Sequence, residues 1–186
     1  METSATTLHL SVEDYLRHEA EGSLRHEFIG GRIHAMAGAS EAHNLVSGNL
    51  LAAFHTHLRG GPCKAYMADF KVRLEINRAD IFYYPDVMVA CQRVGVEQFY
   101  LRYPTLLVEV LSPSTENTDR REKLLNYPQI STVEEYVLIA QDSREVTLHR
   151  RAEGWAPRSV TAPEAPVEFR SLKLSLPLAR IYEGVL

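Results

Sequence analysis

Leu106-Leu107-Val108-Glu109-Val110-Leu111-Ser112-Pro113-Ser114-Thr115 is the stretch on which the reading of the fold turns. Extended back to Thr105, it opens with a strand over 105–111 that is apolar on both faces except at Glu109. A strand of that kind lies in the middle of a sheet covered on both sides. An ionised carboxylate placed there is costly to bury unless a partner compensates it. Glu109 therefore needs an explanation that its neighbours do not.

Upstream, Tyr84-Pro85-Asp86 heads the apolar run Val87-Met88-Val89-Ala90, part of a strand expected over 83–91. Downstream, Asp119 and Glu122 have the spacing of a capping box and open a helix that Pro128 must stop. On that helix Arg120, Lys123 and Tyr127, spaced i, i+3, i+7, share a face. Two acids on neighbouring strands with a cation nearby can hold a hard divalent metal against a phosphodiester. Asp86 and Glu109 would supply carboxylate oxygens and Val110 a backbone carbonyl. Lys123 would offset developing negative charge or help deprotonate the attacking water.

Each residue also has a plainer reading. Asp86 after Pro85 suits a turn, Glu109 could belong to a structural salt bridge, and Lys123 could be a solvated helix residue. The combination is what favours chemistry. Glu27, behind Arg25 and His26, reads equally as a third acid at the same metal or as an exposed strand residue. His43, Lys71 and Arg120 are secondary candidates. His55 and His57 do not face each other on a helix, and no Gly-rich phosphate loop, GxSxG elbow or His-Glu-x-x-His pattern occurs.

Outward from this centre, 186 residues suit one domain, expected over 11–186 after a flexible stretch at 1–10. Ser11 caps a helix over 11–20, and Gly30-Gly31 turns a hairpin with strands at 24–29 and 32–36. Ser40 starts a helix to about Leu58 with Leu45, Leu50, Leu51, Phe54 and Leu58 as its apolar stripe. Strands follow at 63–67 and 69–76, then 135–140 and 145–150. A turn-rich stretch at 152–166, a strand at 167–174 and a short helix from Pro177 complete the chain. The pattern is α/β, with a mixed central sheet flanked by helices.

A net charge of −4 and a pI near 6.1 give no global basic field, which weighs against a constitutive nucleic-acid binder but not against a nuclease with an acidic metal cleft. Cys63 and Cys91, far apart and outside any CxxC spacing, read as reduced thiols of a cytoplasmic protein. No run is long and apolar enough to span a membrane, so no membrane partner is expected.

At these residues the chain resembles the PD-(D/E)XK nuclease superfamily, and within it the Uma-two family of restriction-endonuclease-like proteins. The resemblance runs from about 10 to 183. It rests on His26-Glu27-Phe28-Ile29-Gly30-Gly31, His43, Asp69-Phe70-Lys71-Val72-Arg73, Tyr84-Pro85-Asp86-Val87-Met88-Val89 and, most specifically, Glu109-Val110-Leu111-Ser112-Pro113-Ser114-Thr115. Asp119-Arg120-Arg121-Glu122-Lys123-Leu124, Glu135-Tyr136-Val137-Leu138, Trp155 and Leu176-Pro177-Leu178 extend it. It implies a restriction-endonuclease-like fold in which Asp86 is the acid of the PD element and Glu109 that of (D/E)XK. The superfamily's lysine would stand two residues after Glu109, where this chain has Leu111. Lys123 is the substitute the resemblance suggests, with Lys71 next, and Glu27 matches an additional acid.

The function so implied is Mg²⁺- or Mn²⁺-dependent endonucleolytic cleavage of DNA, most simply by a homodimer when both strands are cut. A catalytically silent nucleic-acid- or protein-binding module on the same fold is the alternative. A small-molecule metallohydrolase is the third reading, disfavoured because no histidine ligands accompany the acids.

Overall fold

The protein is described by a computed structural model over residues 9–92 and 94–186. Its strands are β1 (His26–Ile29), β2 (Arg32–Ala35), β3 (Lys64–Met67), β4 (Lys71–Ile76), β5 (Ala79–Tyr83), β6 (Val87–Ala90) and β7 (Tyr100–Leu101). They continue with β8 (Leu106–Leu111), β9 (Glu135–Ala140), β10 (Val146–Arg150), β11 (Pro157–Val160), β12 (Pro166–Phe169) and β13 (Leu174–Pro177). The helices are α1 (Val12–Glu21), α2 (Glu41–His57), α3 (Leu124–Asn126) and α4 (Leu178–Ile181). A π-helical segment, Thr118–Lys123, leads directly into α3.

β8 lies inside a six-stranded sheet of order β11-β10-β9-β8-β6-β3, parallel to β9 and antiparallel to β6. Its alternation divides the interior. Leu106, Val108 and Val110 join Val87, Val89, Val137 and Ile139 under α2 and the β12–β13 hairpin. Leu107 and Leu111 join Met88, Leu138 and Tyr136 on the other face, against β4 and β5 of a five-stranded sheet of order β2-β1-β5-β4-β7. Period 2 puts Glu109 on this second face, between the two sheets. On the far side of the five-stranded sheet, α1 packs Tyr15 onto Phe28 and Phe82.

Most local signals produce the expected elements. Ser11 and Ser40 accept the amide hydrogens of Asp14 and His43 and cap α1 and α2. Gly30 and Gly31, at φ +54° and +92°, turn the first hairpin, and a Cβ on Gly31 would run into the His9 ring. The expected flexible stretch at 1–10 falls, for 1–8, outside the described residues, while the Leu10 amide bonds to the Gly31 carbonyl.

Several expectations are corrected. The run 83–91 is two strands, β5 and β6, broken by Tyr84-Pro85-Asp86, and β5 returns from β4 through Asn77 and Arg78 at positive φ. The 152–166 stretch contains β11, and the run 167–174 is a hairpin start, interrupted by a 3-10 turn at Arg170–Leu172. In α2, Val46 and Ser47 are buried while Leu45 is exposed, so the buried stripe runs through Val46, Leu50 and Phe54. Cys63 and Cys91 are not free thiols. They flank β3 and β6 one step beyond the Lys64–Ala90 pair, and that register brings them together as a disulfide.

Candidate active site

Lys123 stands where three elements converge. Its Nζ lies 3.0 Å from Glu27 Oε1 of β1, 3.1 Å from Glu109 Oε1 of β8 and 3.0 Å from Asp119 Oδ1 one turn earlier on its own segment. Lys123, Glu109 and Asp119 are only 4, 3 and 1% exposed, so these charges lean mainly on one another. Tyr127 donates to the same Glu109 oxygen at 2.8 Å. Burial pushes Lys123 down, but Glu109, Glu27 and Asp119 outweigh it and hold the ammonium well above its ordinary range. Burial pushes Glu109 well up; Lys123 opposes this, and the neighbouring carboxylates reinforce it.

The π segment explains which residues reach this point. Its i→i+5 bonds make a wider turn than an α-helix. Asp119, at i, i+4, stays beside Lys123, while Arg120 is carried off that face and pairs at the surface with Glu116 at 2.7 Å. Asp119 therefore does not cap a helix, as its spacing from Glu122 suggests; no side chain caps this segment. Glu122 instead accepts from Tyr83 at 2.5 Å.

Asp86 is fixed from two sides. Its Oδ2 accepts the Val110 N–H at 2.7 Å, and its Oδ1 lies 2.8 Å from His43 Nε2 at the start of α2. Val110 thus meets Asp86 through its amide. Burial lowers the His43 pKa, yet the hydrogen bond and charge of Asp86, with Asp119 behind it, raise it above the ordinary value. These groups line a cavity of about 410 Å³ with Glu27, Glu109, Asp119 and Lys123, rimmed by Ser112, Ser114 and Thr115. A cavity of similar size, about 430 Å³, lies between α2 and β13 and holds none of these acids.

Lys71 does not join them. It lies in β4 one position from inward-facing Val72, and its Nζ donates to Tyr84 at 3.0 Å. Among the described residues no carboxylate is bonded to it, and burial leaves Lys71 below the ordinary lysine range. The structure thus brings together Glu27, His43, Asp86, Glu109 and Lys123, and leaves out Arg120 and Lys71. It adds Asp119, whose i, i+4 relation to Lys123 was the available signal.

The donor set suits a hard divalent ion. Four carboxylates (Glu27, Asp86, Glu109 and Asp119) face the cavity against one ammonium and two imidazoles, those of His34 and His43. Asp119 Oδ1 sits near Lys123 without hydrogen-bond geometry and has no other partner. Three of the acids converge on Lys123, and Asp86 is held separately by His43 and Val110.

Two sheets with a central acid-bearing strand, an Asp at the head of its neighbour and a lysine between them define a restriction-endonuclease-like fold. A solved structure described as a putative nuclease belonging to DUF820, from Anabaena variabilis, superposes with a TM-score of 0.77 over 95% of this chain and 99% of that one, at 18% identity. The family model Uma2, described as putative restriction endonuclease, matches residues 12–179, and the chain belongs to that family. Two uncharacterized proteins of Synechocystis are similar along nearly their whole length. The protein slr1290 is 36% identical over 95% of this chain and 93% of its own, and sll1609 is 30% identical over 91 and 98%.

Proposed function

We propose that the chain is a divalent-metal-dependent endonuclease that hydrolyses DNA phosphodiester bonds. The observation that carries this reading is the Lys123 ammonium held at 3.0–3.1 Å by Glu27, Glu109 and Asp119 in a cavity that also holds Asp86. A sealed ion-pair cluster is an inefficient way to stabilise a core. Here the cluster opens to a cavity and carries more acids than cations, which suits a site completed by a metal and an anionic substrate.

Asp86 and Glu109 are the residues for Mg²⁺ or Mn²⁺, with Glu27 and Asp119 in support. When bound, such an ion lowers the pKa of its water and polarises a phosphate oxygen. Lys123, held above the ordinary lysine range by its neighbours, orients the attacking water by donation and offsets charge building on the phosphate. Val110 and His43 hold Asp86 in place, and Tyr127 holds Glu109. Hydroxyls of Ser112, Ser114 and Thr115 offer donors to phosphate oxygens at the rim.

Incubation of supercoiled plasmid and of single-stranded DNA with the protein and Mn²⁺ tests the reading. Cleavage abolished by EDTA is expected. DNA binding without cleavage of either substrate would favour the silent-module alternative.

A further inference from the structure

We propose that His18, Glu19 and His26 form a second metal site, for a transition ion such as Zn²⁺, on the α1 side of the five-stranded sheet. Each offers one ligand atom, and the three atoms lie within 4.8 Å of one another. Among the described residues, no other three His, Cys, Asp or Glu side chains meet so closely. The proposal stands apart from the nuclease reading, because alternation along β1 sends Glu27 inward to Lys123 and His26 outward to α1.

The three ligand atoms lie close enough to share one ion. His26 Nδ1 and Glu19 Oε1 are 2.9 Å apart. The nitrogen and oxygen ligands of a tetrahedral Zn²⁺, with bonds of ~2.05 Å, stand roughly 3.3 Å apart, so this pair opens slightly to admit an ion. Glu19 is 4% exposed, and its other oxygen is already committed, accepting from the Tyr84 hydroxyl at 2.6 Å and the His26 amide at 3.2 Å. Tyr84 in turn accepts from Lys71 at 3.0 Å. Outer donors of this kind orient a ligating carboxylate and leave one oxygen free for the ion.

His18 decides between a metal site and an ion pair. An ion pair joining α1 to β1 needs only Glu19 and His26. His18, exposed on the last turn of α1, brings its ring to 5.1 Å from that of His26 and a ring nitrogen within 4.8 Å of the other two ligand atoms. Two imidazoles and a carboxylate favour Zn²⁺, Co²⁺ or Ni²⁺ over Mg²⁺, the reverse of the oxygen-rich cavity. A bound ion would fasten α1 to β1 and, through Glu19 and Tyr84, steady the chain next to Asp86.

Cobalt reports on the site directly. The full chain, stripped with a chelator and held in excess Mg²⁺ to fill hard-oxygen sites, is titrated with Co²⁺ while visible absorption is followed. A single equivalent with a nitrogen-ligand spectrum, displaced by Zn²⁺, is expected. His18→Ala, an exposed change that leaves the ion pair, should weaken binding by at least about tenfold while the circular dichroism and metal-free melting temperature stay unchanged. Undiminished Co²⁺ binding and spectrum in His18→Ala, or no binding by the unaltered chain in Mg²⁺, would overturn the proposal.

Discussion

Lys123 is surrounded by more negative charge than it can neutralise, and that imbalance governs what substitution there should do. Lys123→Met keeps the length of the side chain but leaves Glu27, Glu109 and Asp119 facing one another in a nearly dry space. Removing one partner of a buried pair typically costs about 3–5 kcal/mol. Urea denaturation near neutral pH should show a loss of that size, and a loss below about 1 kcal/mol would mean that water or a counter-ion already shields the cluster. Asp119→Asn is the milder probe. It retains shape and removes one charge, so stability should change by no more than about 1 kcal/mol while Mn²⁺-dependent cleavage falls. Asp86 and Glu109 stood out in the sequence, because a Pro-Asp at a strand head and an acid between valines are local anomalies, whereas Lys123 rested on its combination with them and on the resemblance, and Glu27 read equally as an exposed strand residue. Asp119 was missed because its spacing from Glu122 imitates a cap, although its i, i+4 relation to Lys123 was there to read.

At the scale of elements, β8 and β9 were legible because strands buried on both faces spell continuous apolar runs. The β4–β5 turn was not, because Asn77 and Arg78 take up positive φ without a glycine to signal it. The π segment was equally hidden; nothing local distinguishes it from an α-turn, and the buried contacts of Asp119 and Lys123 stabilise it. Tyr182, just after α4, shows how the C-terminal end is tied to the six-stranded sheet. Its hydroxyl lies 2.7 Å from the Ala140 carbonyl and 2.8 Å from that of Glu145, and can donate to either. Burial pushes its pKa up to about 12. An unfolded tyrosine ionises near pH ~10, so the native chain keeps this proton longer. The contribution is complete below that pH and is lost as pH rises toward 12. Tyr182→Phe should cost about 1–2 kcal/mol at neutral pH and flatten the decline in stability measured between those two pH values.

For the whole molecule, two sheets pressed face to face leave one acid-lined cavity where β1, β6, β8 and the π segment meet, and the disulfide lies at the far end of β6 from Asp86. Cys63 and Cys91 close a separation of 28 residues, for which chain entropy predicts about 3–4 kcal/mol of stabilisation. The sequence held no sign of the pairing, because it depends on the β3–β6 register and not on spacing. Cys63→Ser should lower the unfolding free energy measured in urea by that amount and leave DNA cleavage unaltered, as the bridge touches none of the site residues. Among the described residues, no helix is long and apolar enough to cross a membrane.

The central claim is that Asp86, held by the Val110 amide and His43, is a metal-binding acid of a nuclease. Nicking of supercoiled plasmid in Mn²⁺ by the unaltered chain and by Asp86→Ala, purified side by side, tests it most directly. Nicking by the first and none by the second, with both proteins folded by circular dichroism, is the result predicted. Equal nicking by both would contradict the assignment of the site.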